Sequence, residues 1–276
     1  PIFKPIGTPM EELDTPALII DLDVLEDNIS TLHAFFKSNN GAKVRPHVEA
    51  HRSPAIAHKQ LAAGGTVNGI AVNTVSQAEI FAQNGFNDIF ISKEVVTTQK
   101  IAHMCALAQN CKITVAVDNI ENLKMLSEAA KFNNVSLNTV VDINTGQNRC
   151  GDEPGIPSVN MAIEMEKTEN VNFTGIMSYE GAILEKNPEQ LSKISRKWIQ
   201  LLLDTRESIE REGIAVGMVS VGGTHNYEIA GALSGVTEVS PGSYALMDYK
   251  YRECRPQFRP AAKVMATVMS HPEPQL

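Results

Sequence analysis

Residues 45–54 read Arg45-Pro-His-Val-Glu-Ala-His-Arg-Ser-Pro54. A short β-branched and apolar run ends in Arg45-Pro46, two histidines follow four residues apart, and Ser53-Pro54 supplies a helix cap and a first-turn proline. The stretch therefore predicts a strand, a loop loaded with titratable side chains, and a helix start. Outward from it the same alternation repeats. Strand-like segments near 43–45, 69–72, 88–91, 112–117, 137–142, 173–177, 217–221 and 237–240 are separated by helical patterns near 53–63, 74–84, 98–109, 119–132, 155–167, 188–212 and, shorter, 226–233. Eight strands with intervening helices in about 200 residues suit a parallel (β/α)8 TIM barrel better than a doubly wound sheet.

The two ends of the chain fall outside this rhythm. Residues 1–12, rich in Pro, Gly and acidic groups, read as an arm, and Pro16–Asp21 is strand-like. Asp23 is the expected cap of a helix carrying Leu25, Ile29, Leu32 and Phe36 on one face. Pro260–Ser270 reads as a further strand after the eighth. The expected division is an arm and strand over 1–22, a barrel over 23–258, and the start of something else over 259–276.

Composition narrows the class of function. Hydrophobic residues make up 43% of the 276, enough for a full-sized core, and 24 basic against 32 acidic residues leave a net charge of −8 with no Lys/Arg-rich block. That balance argues against nucleic acid or an anionic membrane as partner. The apolar runs are strand-sized, far short of the roughly 20 residues of a membrane span. Cys105, Cys111, Cys150 and Cys254 form no CxxC pair or metal-ligand spacing, so a reduced, cytoplasmic setting is the plain expectation.

In a parallel barrel the C-terminal strand ends converge on one mouth. The residues expected there are His47 and Glu49, Asn73, Ser92, Asp118, Asn144 to Arg149, Tyr179-Glu180, Gly222 to His225, and Gly242 to Tyr244. Gly222-Gly223-Thr224 and Gly242-Ser243-Tyr244 follow strands seven and eight, where barrels often hold phosphate. Glycines let backbone N–H groups approach its oxygens, and Thr224, Ser243 and Tyr244 can add hydroxyl donors. As a bland alternative, a Gly-Gly pair is a turn. Arg149 could equally pair with a surface carboxylate, Tyr179 could be a half-buried rim residue, Cys150 a small packed residue, and Asp118 the cap of the helix starting at Asn119. His47 and His51 without a convincing third ligand imply no metal.

Several stretches, in order, resemble the family of D-threonine aldolases and eukaryotic-type D-serine dehydratases, pyridoxal-phosphate enzymes with an alanine racemase N-terminal type barrel. They are Leu13-Asp-Thr-Pro-Ala-Leu-Ile-Ile-Asp-Leu22, the loop 45–54, Thr74-Val-Ser-Gln-Ala-Glu79, Thr114-Val-Ala-Val-Asp118, Asn148-Arg-Cys-Gly151, Tyr179-Glu-Gly181 and Gly242-Ser-Tyr244 with Met247-Asp248. The resemblance implies Arg149 at the cofactor's ring nitrogen, Tyr179 near cofactor and substrate, and Gly222, Gly223, Thr224, Gly242, Ser243 and Tyr244 at its phosphate. It also implies a small amino-acid substrate, a homodimer, and a β-rich second domain formed largely by a C-terminal third that would begin near Leu276. The divalent metal of some members is held by that domain, so none is expected on this chain.

One position departs from the pattern. The family's loop reads Arg-Pro-His-x-Lys-Thr-His-Lys, and its first lysine forms the Schiff base; here Glu49 stands in its place. Glutamate cannot form an imine, and its charge near a phosphate needs a partner, for which Arg45, Arg52 and His47 are candidates. Three readings stay open. The barrel holds pyridoxal phosphate noncovalently, with Glu49 as general base beside His47 and Tyr179; or it is a non-catalytic or merely cofactor-binding homologue; or position 49 is an isolated change in an ordinary enzyme. The implied reaction is cleavage or elimination on a β-hydroxy D-amino acid.

Overall fold

Strand segments that are apolar on both faces belong in a sheet covered on both sides, and that is where this chain places them. The computed structural model describes residues 4–38 and 41–273. After a 3-10 turn at Met10–Glu12 come β1 (Ala17–Ile20) and α1 (Leu22–Ser38). The barrel strands are β2 (Lys43–Val44), β3 (Ile70–Val72), β4 (Asp88–Ile91), β5 (Lys112–Val117), β6 (Leu137–Asp142), β7 (Val171–Met177), β8 (Met218–Val221) and β9 (Glu238–Val239). The connecting helices are α2 (Pro54–Ala62), α3 (Val75–Gln83), α4 (Thr98–Ala108), α5 (Ile120–Phe132), α6 (Ile156–Lys167), α7 (Pro188–Arg211) and α8 (Tyr227–Gly231). All eight strands pair in parallel in the order β2-β9-β8-β7-β6-β5-β4-β3. Parallel bridges Val44–Thr66 and His47–Ala71 join the two ends of that order, which closes the expected (β/α)8 barrel.

The two-residue period of the strands splits the core into two layers. Ala71, Phe90, Ala116, Val140 and Met177, one from each of β3 to β7, point inward and form a small cluster inside the barrel. Their neighbours, among them Ile70, Val72, Ile89, Ile91, Val115, Val117 and Val141, pack outward against the helices in the main core. The ring is uneven at one point. A Cβ on Gly175 would lie 1.9 Å from the Met218 carbonyl oxygen, and the β6–β7 register shifts between Thr139 and Val140 beside it.

Helix starts follow local chemistry, with two differences from expectation. Ser53 and Asn119 cap α2 and α5, Asn119 Oδ1 accepting from the N–H groups of Glu121 and Asn122. For α1 the carboxylate in capping position is Asp21, which accepts from the Val24 N–H at 3.2 Å; Asp23 lies inside the first turn. The stripe of Leu25, Ile29, Leu32 and Phe36 is buried as expected. Residues 249–254 form a helix that periodicity did not reveal, α9 (Tyr249–Cys254), because it is set by its cap: Asp248 Oδ1 accepts from both the Lys250 and Tyr251 N–H groups at 2.8 Å.

The terminal segments find each other. β10 (Ala262–Met265) pairs antiparallel with β1, outside the barrel sheet, with Leu18 opposite Val264. Among the described residues no helix is long and apolar enough to cross a membrane.

Candidate active site

A cavity of roughly 250 Å³ opens at the C-terminal mouth of the barrel, floored by Phe90 and Met177 of the inner cluster. Its walls include His47, Glu49, Asn73, Ser92, Lys93, Arg149, Ser178, Tyr179, Ser220, Gly222, Gly223, Thr224, Ser240, Gly242, Ser243 and Tyr251. Of the residues expected at the mouth, His47, Glu49, Asn73, Ser92, Arg149, Tyr179, Gly222, Gly223, Thr224, Gly242 and Ser243 line this one cavity, whereas Asp118, residues 144–148, Glu180, His225 and Tyr244 do not.

The loop after β2 carries His47 and Glu49. His47 Nε2 lies 3.0 Å from Ser92 Oγ, and Ser92 Oγ lies 3.2 Å from the Val72 carbonyl, to which it can only donate. The hydroxyl thus accepts from His47, which places the ring proton on Nε2 and leaves Nδ1 as a base. Burial, reinforced by the charge of Lys93, pushes the His47 pKa down to about 4, so the ring is neutral at pH 7. Glu49 is held differently: one carboxylate oxygen pairs with Arg52 and the other accepts from the Gln77 amide. Burial raises its pKa, but these contacts outweigh burial and hold the carboxyl below its usual range. Arg52 is thus the partner among the three candidates. Arg45 is buried elsewhere, with Glu238 at 2.8 Å and Asp88 at 2.7 Å.

His51 belongs to a second network. The Ser53 N–H donates to its Nδ1, and its Nε2 donates to Gln60 Oε1 at 3.1 Å. Gln60 Nε2 then donates to the Tyr244 hydroxyl, which donates to His33 Nε2, and His33 Nδ1 reaches the Gly64 carbonyl at 2.7 Å. Tyr244 is fully buried with its hydroxyl engaged on both sides. The expectation that this hydroxyl reaches a phosphate is corrected by that packing; what Tyr244 sends toward the mouth is its backbone N–H, which bonds Thr224 Oγ1 at 3.1 Å.

The glycine loops after β8 and β9 form the opposite wall. Gly242 has to be glycine because a Cβ there would sit 2.5 Å from the His47 carbonyl oxygen, so this loop presses directly on the loop after β2. The Gly223 N–H is taken by Asn226 Oδ1 at 3.0 Å. The N–H groups of Thr224, Gly242 and Ser243 donate to no group among the described residues. Ser178 Oγ, also on the wall, is buried without a hydrogen-bond partner among the described residues. Unsatisfied donors of this kind are costly unless something polar meets them.

Arg149 stands over the Tyr179 ring at 5.9 Å from its centroid. Burial raises the Tyr179 pKa, and the Tyr251 hydroxyl beside it is raised in the same way. Both phenols are protonated donors at neutral pH. Cys150 is no reactive thiol, since burial pushes it up to about 11 and its Sγ donates to Asp142 Oδ2 at 3.3 Å. Asp118 caps no helix; its Oδ2 accepts from the Gly151 N–H at 3.0 Å and so anchors the loop that carries Arg149.

Sequence reasoning missed several members of this site. Lys93 and Ser178 each lie one residue from a position expected at the mouth, and nothing local in the sequence sets them apart from their neighbours. Tyr251 was hidden with α9. Near the site but outside its lining, Glu94, Asp142 and Cys150 bring their polar side-chain atoms within 4.8 Å of one another, a cluster assembled from separate strand ends that has no spacing signature.

Comparison with known proteins agrees with this architecture. Residues 20–250 match the family model for the alanine racemase N-terminal domain. A D-threonine aldolase from Arthrobacter sp is 34% identical over 273 residues, covering 97% of this chain and 71% of that protein. The crystal structure of D-threonine aldolase from Filomicrobium marinum superposes with a TM-score of 0.93 at 34% identity, covering 98% of this chain and 74% of the other. D-threo-3-hydroxyaspartate dehydratase from Delftia sp. HT23 gives a TM-score of 0.83 at 27% identity over 94% of this chain and 69% of that one. With its barrel, its loops and its relatives in agreement, the chain belongs to the alanine racemase N-terminal domain family, beside the D-threonine aldolases and 3-hydroxy-D-aspartate enzymes.

Proposed function

We propose that this protein is a pyridoxal-phosphate-dependent lyase acting on β-hydroxy D-amino acids, of the aldolase type. The observation that carries the reading is the donor set of the cavity. Free N–H groups of Thr224, Gly242 and Ser243, with the Thr224 and Ser243 hydroxyls, line one wall, and Arg149 lies across the mouth over Tyr179. These donors suit a phosphate at one end and a ring nitrogen at the other. When bound, the cofactor supplies an electron sink for the carbon released by bond cleavage.

The chain's own residues supply the rest. Arg149, whose guanidinium is a donor without acceptor capacity, would hold the pyridine nitrogen of the cofactor and keep it unprotonated. Thr224 and Ser243 orient the phosphate. Neutral His47, its Nδ1 lone pair free of any donor among the described residues, takes the proton of the substrate's β-hydroxyl as the Cα–Cβ bond breaks and an aldehyde leaves. Tyr179 and Tyr251 donate to the substrate. Glu49, with both oxygens engaged, positions Gln77 and Arg52 rather than serving as the base.

Elimination of water in place of cleavage is the second reading, favoured by the likeness to the Delftia dehydratase. A non-catalytic role draws no support from relatives that are themselves named as enzymes. We further assign the described parts of the two end segments 1–22 and 259–276, residues 4–22 and 259–273, to a β-rich unit beside the barrel, on the strength of the separate β1–β10 ribbon; residues 1–3 and 274–276 lie outside the described residues. That ribbon leaves Leu18 and Val264 exposed on one face, a surface suited to further β structure or a second copy.

The test is turnover. Incubation with pyridoxal phosphate and D-threonine or D-3-hydroxyaspartate is expected to release an aldehyde and glycine, while the L-enantiomers stay intact. Release of ammonia and a keto acid instead would move the assignment to elimination, and no reaction with any β-hydroxy D-amino acid would end it.

A further inference from the structure

We propose that Lys93 is the amine to which this protein attaches the aldehyde of pyridoxal phosphate, in place of a lysine at position 49. The inference rests on the cofactor reading above and goes beyond it by naming the covalent anchor.

Lys93 is the second residue after β4, and among the described residues it is the one lysine lining the cavity. Its neighbour Ser92 is the residue that bonds His47, so Lys93 enters the mouth beside the loop from which Glu49 departs from the family pattern. The three strands involved are adjacent: β2 meets β3 through the His47–Ala71 bridge, and β3 pairs with β4. An amine moved from the loop after β2 to the loop after β4 still projects into the same space. Among the described residues the Lys93 ammonium makes no ion pair and no hydrogen bond. The lysines that do form ion pairs, such as Lys59, Lys112, Lys124 and Lys186, are on the surface, each with a carboxylate within 3 Å.

Chemistry agrees with the placement. A lysine attacks a carbonyl only as the neutral amine, and proteins favour that form by burial and by a neighbouring cation. Both act here: burial lowers the Lys93 pKa most, and Arg149 lowers it further, against the opposing pull of Cys150, Asp142 and Glu94. The same acidic group gives the proton somewhere to go. Asp142, pushed up to about 7 by burial and by the Glu94 carboxyl, exchanges protons near neutrality. In the attachment step the amine lone pair forms a bond to the aldehyde carbon, the carbon–oxygen double bond breaks, and the oxygen leaves as water with the two amine hydrogens. Nothing is oxidised or reduced. Glu49 in turn is explained: with the anchor after β4, two strands along the barrel, position 49 is free to tie Arg52 and Gln77.

The experiment uses the whole chain loaded with pyridoxal phosphate, reduced with borohydride, digested and mapped by mass spectrometry. The label is expected on Lys93 alone. Lys93→Arg, which keeps the charge but cannot form the bond, is expected to lose the label and the visible absorbance of the bound cofactor while its thermal melt stays that of the parent. Lys93→Gln serves as the second variant if the arginine perturbs folding. Label on a different lysine, label scattered over surface lysines, or retained cofactor with no label overturns the proposal. Turnover separates it from the reading it rests on. Cleavage of D-threonine without label at Lys93 removes the anchor but not the lyase, label at Lys93 without turnover does the reverse, and failure to retain the cofactor at all removes both.

Discussion

The two ends of the barrel treat charge in opposite ways. At the N-terminal end Arg45 is sequestered with a side-chain exposure of 6%, and it bonds Glu238 at 2.8 Å and Asp88 at 2.7 Å, while Lys112 completes the set on Asp88 at 2.9 Å. The packing is so close that a Cβ on Gly69 would lie 2.5 Å from the Arg45 guanidinium. At the C-terminal mouth Lys93 and Arg149 have no carboxylate ion pair among the described residues, His47 is neutral, and Ser178 and three backbone N–H groups lack acceptors. Charge that is fully paired serves the fold; donors left open at one place are held for a ligand. The fold tolerates the second because it is locked by the first.

The sharpest way to break this comparison is to remove the guanidinium at the closed end. Arg45→Met leaves Glu238, only 4% exposed, as an uncompensated buried carboxylate, and should cost about 3–5 kcal/mol in denaturant unfolding. Arg149→Met at the mouth should leave the unfolding midpoint within experimental error and abolish cofactor retention. If both variants lost the same stability, the division into a structural and a functional end would be wrong.

Tyr244→Phe is the next test, because Tyr244 lies next to Ser243 of the loop proposed to hold phosphate yet belongs to the fold. The change strands Gln60 Nε2 and His33 Nε2 in a buried network and should cost about 1–3 kcal/mol. Phosphate affinity should stay unchanged. Thr224→Val, by contrast, should weaken cofactor binding with little effect on the melt. A Tyr244→Phe protein of parental stability and poor cofactor affinity would return the hydroxyl to the site.

Acid separates the two ends by pH. His47 and His51 are pushed by burial from 6.5 to about 4, so the folded protein keeps them neutral while the unfolded chain protonates them below 6.5. Their contribution is intact above that pH and is lost as pH falls toward 4. Asp88, raised by burial but held low overall by Arg45, loses its contribution only below the ordinary carboxylate range of 3.8. Stability should thus fall between pH 6.5 and 4, and His51→Gln should flatten that slope while leaving the drop below pH 4 in place. An unchanged slope would mean that the loop after β2 does not govern acid stability.

How much of this was legible depended on the length scale of the signal. Strand and helix periods are local, and the eight strands and the stripe of α1 fall where the pattern puts them. The mouth could be anticipated as well, because strand ends converge in any parallel barrel, which is why His47, Glu49, Arg149, Tyr179 and the glycine loops meet in one cavity. What sequence could not show was direction and partnership. Tyr244 and Ser243 are adjacent, yet one faces the core and the other the cavity. Arg45 and Arg149 are the same residue type, and only the fold brings carboxylates from β4 and β9 to the first. Lys93 was hidden for the same reason: a lysine after a strand looks like a solvated loop residue until its neighbours are known.

The smallest effect concerns Asp118 and Asn119, adjacent residues with opposite duties. Asn119 caps α5 through two N–H groups at 2.8 and 3.3 Å, so Asn119→Ala should cost about 1 kcal/mol and leave the cofactor bound. Asp118 spends its carboxylate on the Gly151 N–H, two residues from Arg149, and makes no cap. Asp118→Ala should change the melt less than the Asn119 variant does but weaken cofactor binding, because the arginine loop loses its tether while α5 keeps its start. Measured side by side, the pair asks within one turn of chain whether fold and site can be uncoupled. Equal losses of stability from both would show that the arginine loop is braced by the helix itself.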